Sequence, residues 1–198
     1  MRASFSMPSD TRLAEFLASK KHKTFSYSDV GATLEKPPQS FDNDHNFIHL
    51  GEGEQVWANA KNTLKNWKQF PDTWTRVFPS IENIKKDKTV AVMFRLFGIW
   101  WINSAKIVYT IDEPDRFGFA YGTLPGHLEK GEECFWIEKD KKGSVFYHIK
   151  AFSKPAYWLV WLAYPIARKF QKRFVRESLS IMKKISSKAI ETHAPKPI

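Results

Sequence analysis

At 198 residues and 42% hydrophobic, the chain has the length for one domain with a sizeable core. Its lone cysteine, Cys134, excludes an internal disulfide and every multi-cysteine zinc motif, and residues 1–30 lack the apolar core of a signal peptide, so a cytoplasmic location is expected. The formal net charge of +10 fits an anionic membrane, a nucleic acid or an acidic ligand, and it fits a solvated basic face as well.

Residues 9–20 read as a short helix, with Ser9 or Asp10 as N-cap and Leu13, Phe16 and Leu17 on one face. Residues 1–24 are therefore expected to form an N-terminal helical extension to a single domain over 25–190, with a polar tail over 191–198. Residues 24–45 carry Gly31, Pro37, Pro38 and Asn43-Asp44 without a clear period, which predicts a loop. Asn46 to Leu50 is a short strand candidate that runs into Gly51-Glu52-Gly53. Val56, Trp57, Ala60, Leu64 and Trp67 then recur at helical spacing up to Pro71.

Beyond that point the period becomes two. Strands are predicted at 73–78, 89–96, 100–111, 116–124, 132–139 and 144–153, separated by turn residues such as Gly98, Pro114 and Gly143. The apolar run 156–167 is interrupted by Pro165 and falls short of the ~20 residues that span a bilayer. A long C-terminal helix follows, with an apolar stripe of Ile166, Phe170, Phe174, Ile181, Met182 and Ile185. Arg168, Lys172, Arg176, Lys183 and Lys184 lie on the other side.

This order predicts an α+β fold in which a curved antiparallel sheet of about six or seven strands wraps around the long C-terminal helix. In topology it resembles the helix-grip layout of the START-like (SRPBCC, Bet v 1-like) superfamily. The segments "YSDVGAT" (27–33), "LGEGEQVWANAKNTLKNW" (50–67), "RFGFAYGTLPGHLEKGEECF" (116–135) and "IKAFSKP" (149–155) resemble an uncharacterised bacterial and plant family, catalogued as a domain of unknown function and numbered nineteen-ninety in that series. The resemblance covers about Phe25 to Lys184 and brings no established chemistry.

Among short motifs, Gly51-x-Gly53 sits where a dinucleotide fingerprint would, yet Val56 replaces the third glycine and no βαβ unit follows, so a tight strand-to-helix turn is expected. His127-x-Glu129 opens a zinc-deaminase pattern that needs later cysteines this chain lacks. Glu132 and Glu133, consecutive on a strand, should point to opposite faces and break up a hard-metal cluster. No metal and no cofactor is expected. Cys134, mid-strand, reads as a buried inert thiol.

In the strand 116–124, Phe117, Phe119 and Tyr121 share one face, and Gly118, Ala120 and Gly122 share the other. A face of small residues either admits a helix or leaves room for a ligand, and both readings place it on the concave side. Arg95, Asn103, Tyr109, Tyr147 and His148 on neighbouring strands add polar groups, and His127 stands on the loop at the mouth. The expected ligand-binding set is thus Tyr121, Gly122, Thr123, His127, Arg95, Asn103, Tyr109, His148 and Trp161. The expected function is a binding module for an apolar or amphipathic small molecule of lipid, quinone or polyketide type, held between sheet and C-terminal helix. The alternative is a hydrolase- or cyclase-type enzyme using His127, Tyr121 and Glu133 as acid–base groups in the same cavity. A third reading, weak contact with an anionic membrane, rests on Trp158 and Trp161 followed by the basic helix. No specific nucleic-acid partner is expected, for want of a recognised motif.

Overall fold

The computed structural model describes residues 2–79, 84–158 and 164–187. Its elements run β1 (Arg2–Ser4), α1 (Asp10–Ala18), β2 (Asp42–Glu52), α2 (Glu54–Lys65) and β3 (Thr75–Phe78). They continue with β4 (Thr89–Leu96), β5 (Ile99–Asp112), β6 (Arg116–Thr123), β7 (Glu129–Lys139), β8 (Ser144–Pro155) and α3 (Tyr164–Ser186). The strands form one antiparallel sheet in the order β2-β8-β7-β6-β5-β4-β3, with β1 beside β5. The fold is α+β, an open antiparallel sheet with the helix-grip arrangement about the C-terminal helix.

Six of the strands arise from the period-two segments, and 89–96 is observed with the predicted bounds. β2 is longer than predicted and starts at Asp42 instead of Asn46. It is a sheet edge, and Asp42, Asn43, Asp44 and His45 make both of its faces polar there, so no apolar period reveals it.

One face of the sheet holds Phe119, Tyr121, Phe135, Ile137, Tyr147 and Ile149. These pack with Trp57, Ala60 and Leu64 of α2 and Met182 of α3. Each fully buried Phe or Leu in this layer contributes about 1.5–3 kcal/mol through removal of apolar surface from water. Along α3 the buried line is Ser178, Met182 and Ser186 at successive i+4 steps, while Ile166 is 48% exposed. The apolar stripe read from the sequence therefore meets the core in part, through Phe174 and Met182; small serines let the helix approach, and the Tyr147 hydroxyl meets that of Ser178 at 3.0 Å.

The opposite face is covered too. Ser9 caps α1 by accepting from Arg12 N–H, and Leu13 and Phe16 bury against Ala91, Met93 and Ile102. Phe25 opens a loop that lies over Val108, Ala120, Cys134 and Trp136. Between β2 and α2, Gly53 adopts φ 88° and donates its N–H to Gly143 O at 2.9 Å, so the Gly51-x-Gly53 pair is a turn stitched to the β7–β8 hairpin.

Candidate binding groove

The aromatic side of β6, not its glycine side, faces the helices. Phe117, Phe119 and Tyr121 belong to the helix-facing core, whereas Ala120 packs in the outer cluster with Cys134 and Trp136. The small-residue face is filled from outside. A Cβ on Gly118 would fall 2.5 Å from Trp136 Cβ, and one on Gly122 would fall 2.1 Å from the Tyr27 hydroxyl. The expectation of ligand space over Gly122 on the concave side is corrected accordingly: that surface is the convex one, and Tyr27 occupies it.

Tyr27 belongs to the 27–33 segment, which closes around a single carboxylate. Glu132 accepts from the Tyr27 hydroxyl at 2.7 Å, Gly31 N–H at 2.8 Å, Thr33 N–H at 3.2 Å and the Thr33 hydroxyl. Tyr109 reaches the same place, its hydroxyl 2.6 Å from that of Thr33. Two of the segments that carry the family resemblance thus meet in a structural clasp.

On the helix side a line of polar groups runs under α3. The Tyr121 hydroxyl donates to Glu133 at 2.5 Å. Burial pushes the Glu133 carboxyl up to about 7, against which the Tyr121 hydrogen bond acts only in part. Burial, together with the Glu133 charge, also raises Tyr121, and burial raises Glu129. Glu129 accepts from Gln171 Nε2 at 2.7 and 2.9 Å, and Gln171 Oε1 accepts from Arg168, which grips Asp44 through two bonds of 2.6 and 2.8 Å. Glu129 of β7 is in this way tied to α3 and, through Arg168, to β2.

The remaining predicted residues lie apart. His127 Nδ1 accepts from Glu129 N–H at 3.0 Å, and burial lowers its pKa to about 4. It is hydrogen-bonded to neither Tyr121 nor Glu133, so the three acid–base candidates form a bonded pair and a separate loop group. Thr123 Oγ1 lies 2.6 Å from Ser26 Oγ and accepts from Gly131 N–H, holding the loop in place. Asn103 is 1% exposed, opposite Val92, and neither amide atom has a partner among the described residues. Arg95 is exposed near the β4–β5 turn. His148 lies on the outer face, stacked 4.4 Å from Trp136 and 3.2 Å from His45, with its pKa lowered to about 4 by burial. Trp161 lies outside the described residues. Burial pushes the Cys134 thiol up to about 12, which makes it a poor nucleophile. Among the described residues, no group of three or more His, Cys, Asp or Glu side chains is placed to hold a metal ion.

A groove of about 720 Å³ opens between α3 and the edge strand β2. Ile48, Val175 and Leu179 supply its apolar lining, and they pack against the core from the other side. Arg168, Lys172, Arg176, Lys183 and Lys184 border it, with Asp44 as the one acid. None of the described residues predicted to bind ligand lines it. The groove joins elements far apart in sequence, and only the basic stripe of α3 was visible beforehand. Among the described residues, no helix is long and apolar enough to cross a membrane.

Residues 26–181 match a family described as Domain of unknown function (DUF1990). A UPF0548 protein of Dictyostelium discoideum is 35% identical over 202 residues, covering 91% of this chain and 94% of its own. A UPF0548 protein of Arabidopsis thaliana is 37% identical over 142 residues, covering 68% of each chain. Among solved structures, a hypothetical protein from Helicobacter pylori aligns with a TM-score of 0.53 at 9% identity, covering 82% of this chain and 96% of that one. The di-domain ARO/CYC BexL from the BE-7585A biosynthetic pathway aligns at 0.52 and 13%, covering 91% of this chain and 58% of that one. Those two likenesses speak for the fold alone, while the match over most of the chain establishes kinship: the protein belongs to the DUF1990 family.

Proposed function

We propose that the protein is a binding module for an amphipathic small molecule, held in the groove between α3 and β2. One observation carries the reading: an opening of about 720 Å³ with an apolar strip of Ile48, Val175 and Leu179 beside polar and charged groups. That size and that mix are usual for small-molecule sites, which run from roughly 300 to 1,000 Å³. The fold likeness to an ARO/CYC protein of a biosynthetic pathway is in keeping with it. The acid–base alternative has weaker support, since Tyr121 and Glu133 bond to each other and neither they nor His127 line the groove.

Native mass spectrometry of the full chain, purified gently from cells, tests the proposal. The expected result is a co-purified small molecule on the wild type that is lost from Leu179→Arg, which places a charge on the apolar lining. An adduct retained unchanged by Leu179→Arg, or a bare wild type that also takes up no dodecanoate, overturns it.

A further inference from the structure

The groove's charge is organised along one ridge of α3. Arg168, Lys172, Arg176, Ser180 and Lys184 follow one another at i+4 steps, and all five border the groove. Residues four apart on a helix are neighbours, so Arg168, Lys172 and Arg176 repel along the ridge. A solvated helix face relieves such repulsion with acids at the same spacing, as α3 does elsewhere: Arg173 pairs with Glu177 at 2.7 Å. The groove ridge contains no acid.

The facing strand does not compensate either. Asp44 is already matched by Arg168 through its two-pronged ion pair. Lys183 spends its ammonium on the carbonyls of His49 and Leu50 at 2.8 and 3.0 Å, where it covers the edge of β2. The side-chain charges of Lys172, Arg176 and Lys184 have no hydrogen bond or ion pair among the described residues; at Lys184 only the backbone carbonyl is engaged, accepting from the Ser187 hydroxyl. The next ridge inward, at 171, 175 and 179, is Gln171, Val175 and Leu179. The apolar pair Val175 and Leu179 therefore lies beside a row of unspent cations that extends over the twelve steps from Lys172 to Lys184, about 18 Å at 1.5 Å per residue.

We propose that the groove takes a single-chain amphipath with an anionic head, its chain along Ile48, Val175 and Leu179 and its carboxylate, sulfate or phosphate head on Lys172, Arg176 and Lys184. This inference rests on the small-molecule reading above and adds the charge of the ligand. An occupant of that kind removes apolar surface from water and also relieves the ridge repulsion. A neutral or cationic amphipath achieves only the first.

Calorimetric titration of the full chain with dodecanoate and with dodecyltrimethylammonium, each below its micelle-forming concentration, tests the proposal. Wild type should bind dodecanoate at least about tenfold more tightly, and added salt should shrink the difference. The triple variant Lys172→Gln/Arg176→Gln/Lys184→Gln, checked for native circular dichroism, should lose about tenfold in dodecanoate affinity and nothing toward the cation. Equal binding of the two amphipaths by wild type overturns the anionic preference and leaves the small-molecule reading standing. Binding of neither overturns both. Cosedimentation with anionic vesicles without any binding of monomeric dodecanoate also overturns the proposal, because the ridge is then a membrane surface.

Discussion

The Tyr27 hydroxyl lies 2.1 Å from where a Cβ on Gly122 would stand, and it donates to Glu132 at 2.7 Å. The absent side chain of one residue is thus the seat of another. Gly122→Ala must push the Tyr27 ring off the sheet and away from its carboxylate. The expected loss is about 1–3 kcal/mol, as for other overpacked sites, read from the midpoint of urea unfolding. A wild-type midpoint would mean that Tyr27 does not sit over this glycine.

Glu132 gathers the Tyr27 and Thr33 hydroxyls and the N–H groups of Gly31 and Thr33. Glu132→Ala strands these donors in a buried position, and groups that lose a charged partner are costly to leave unmet. A loss of about 3 kcal/mol is expected. Residues 25–35 should also become sensitive to limited proteolysis before the sheet does. Unchanged proteolysis of that segment would show that the loop is held by its apolar contacts alone.

Leu13 is 1% exposed against Ala91, Met93 and Ile102, which makes α1 a cover for the outer face of the sheet. Leu13→Ala should cost about 3 kcal/mol from lost transfer energy and the cavity left behind. Thermal unfolding with a single cooperative transition at lower temperature is the expected readout. A change of under about 0.5 kcal/mol, typical of surface positions, would show α1 to be a dispensable appendage.

Strand existence was legible because alternation marks any half-buried strand. Which face looks inward was not. Alternation in 116–124 separates Phe119 and Tyr121 from Ala120 and Gly122, but the residue that fills the glycine side, Tyr27, comes from a segment with no period of its own. The polar candidates were consequently divided among several places. Tyr121 and Glu133 face the helices, Tyr109 and His148 the outer side, and Arg95 the solvent. The groove was illegible for a related reason. Its basic ridge shows at i+4 spacing within α3, but its other wall is β2, whose edge position leaves the stretch from Asp42 to His45, Asp44 included, looking like loop.

As pH changes, two buried groups pull the stability in opposite directions. The Glu133 carboxyl is raised from 4.5 to about 7 by burial, so the folded state holds its proton more tightly than the unfolded one. Its contribution is fully present below about pH 4.5 and is lost as pH rises to about 7. His148 is lowered from 6.5 to about 4, mainly by burial, so its contribution is present above pH 6.5 and lost as pH falls toward 4. Stability should therefore peak in weakly acidic solution, with Glu129 adding to the alkaline limb and His127 to the acid limb. Glu133→Gln retains an acceptor for the Tyr121 hydroxyl and removes the buried charge. It should raise the urea midpoint at pH 8, by up to about 3 kcal/mol in stability, and leave pH 4 nearly unchanged. His148→Phe keeps a ring against Trp136 and should flatten the acid limb instead. Equal shifts at pH 4 and pH 8 for Glu133→Gln would mean that this carboxyl ionises alike in the folded and unfolded chains.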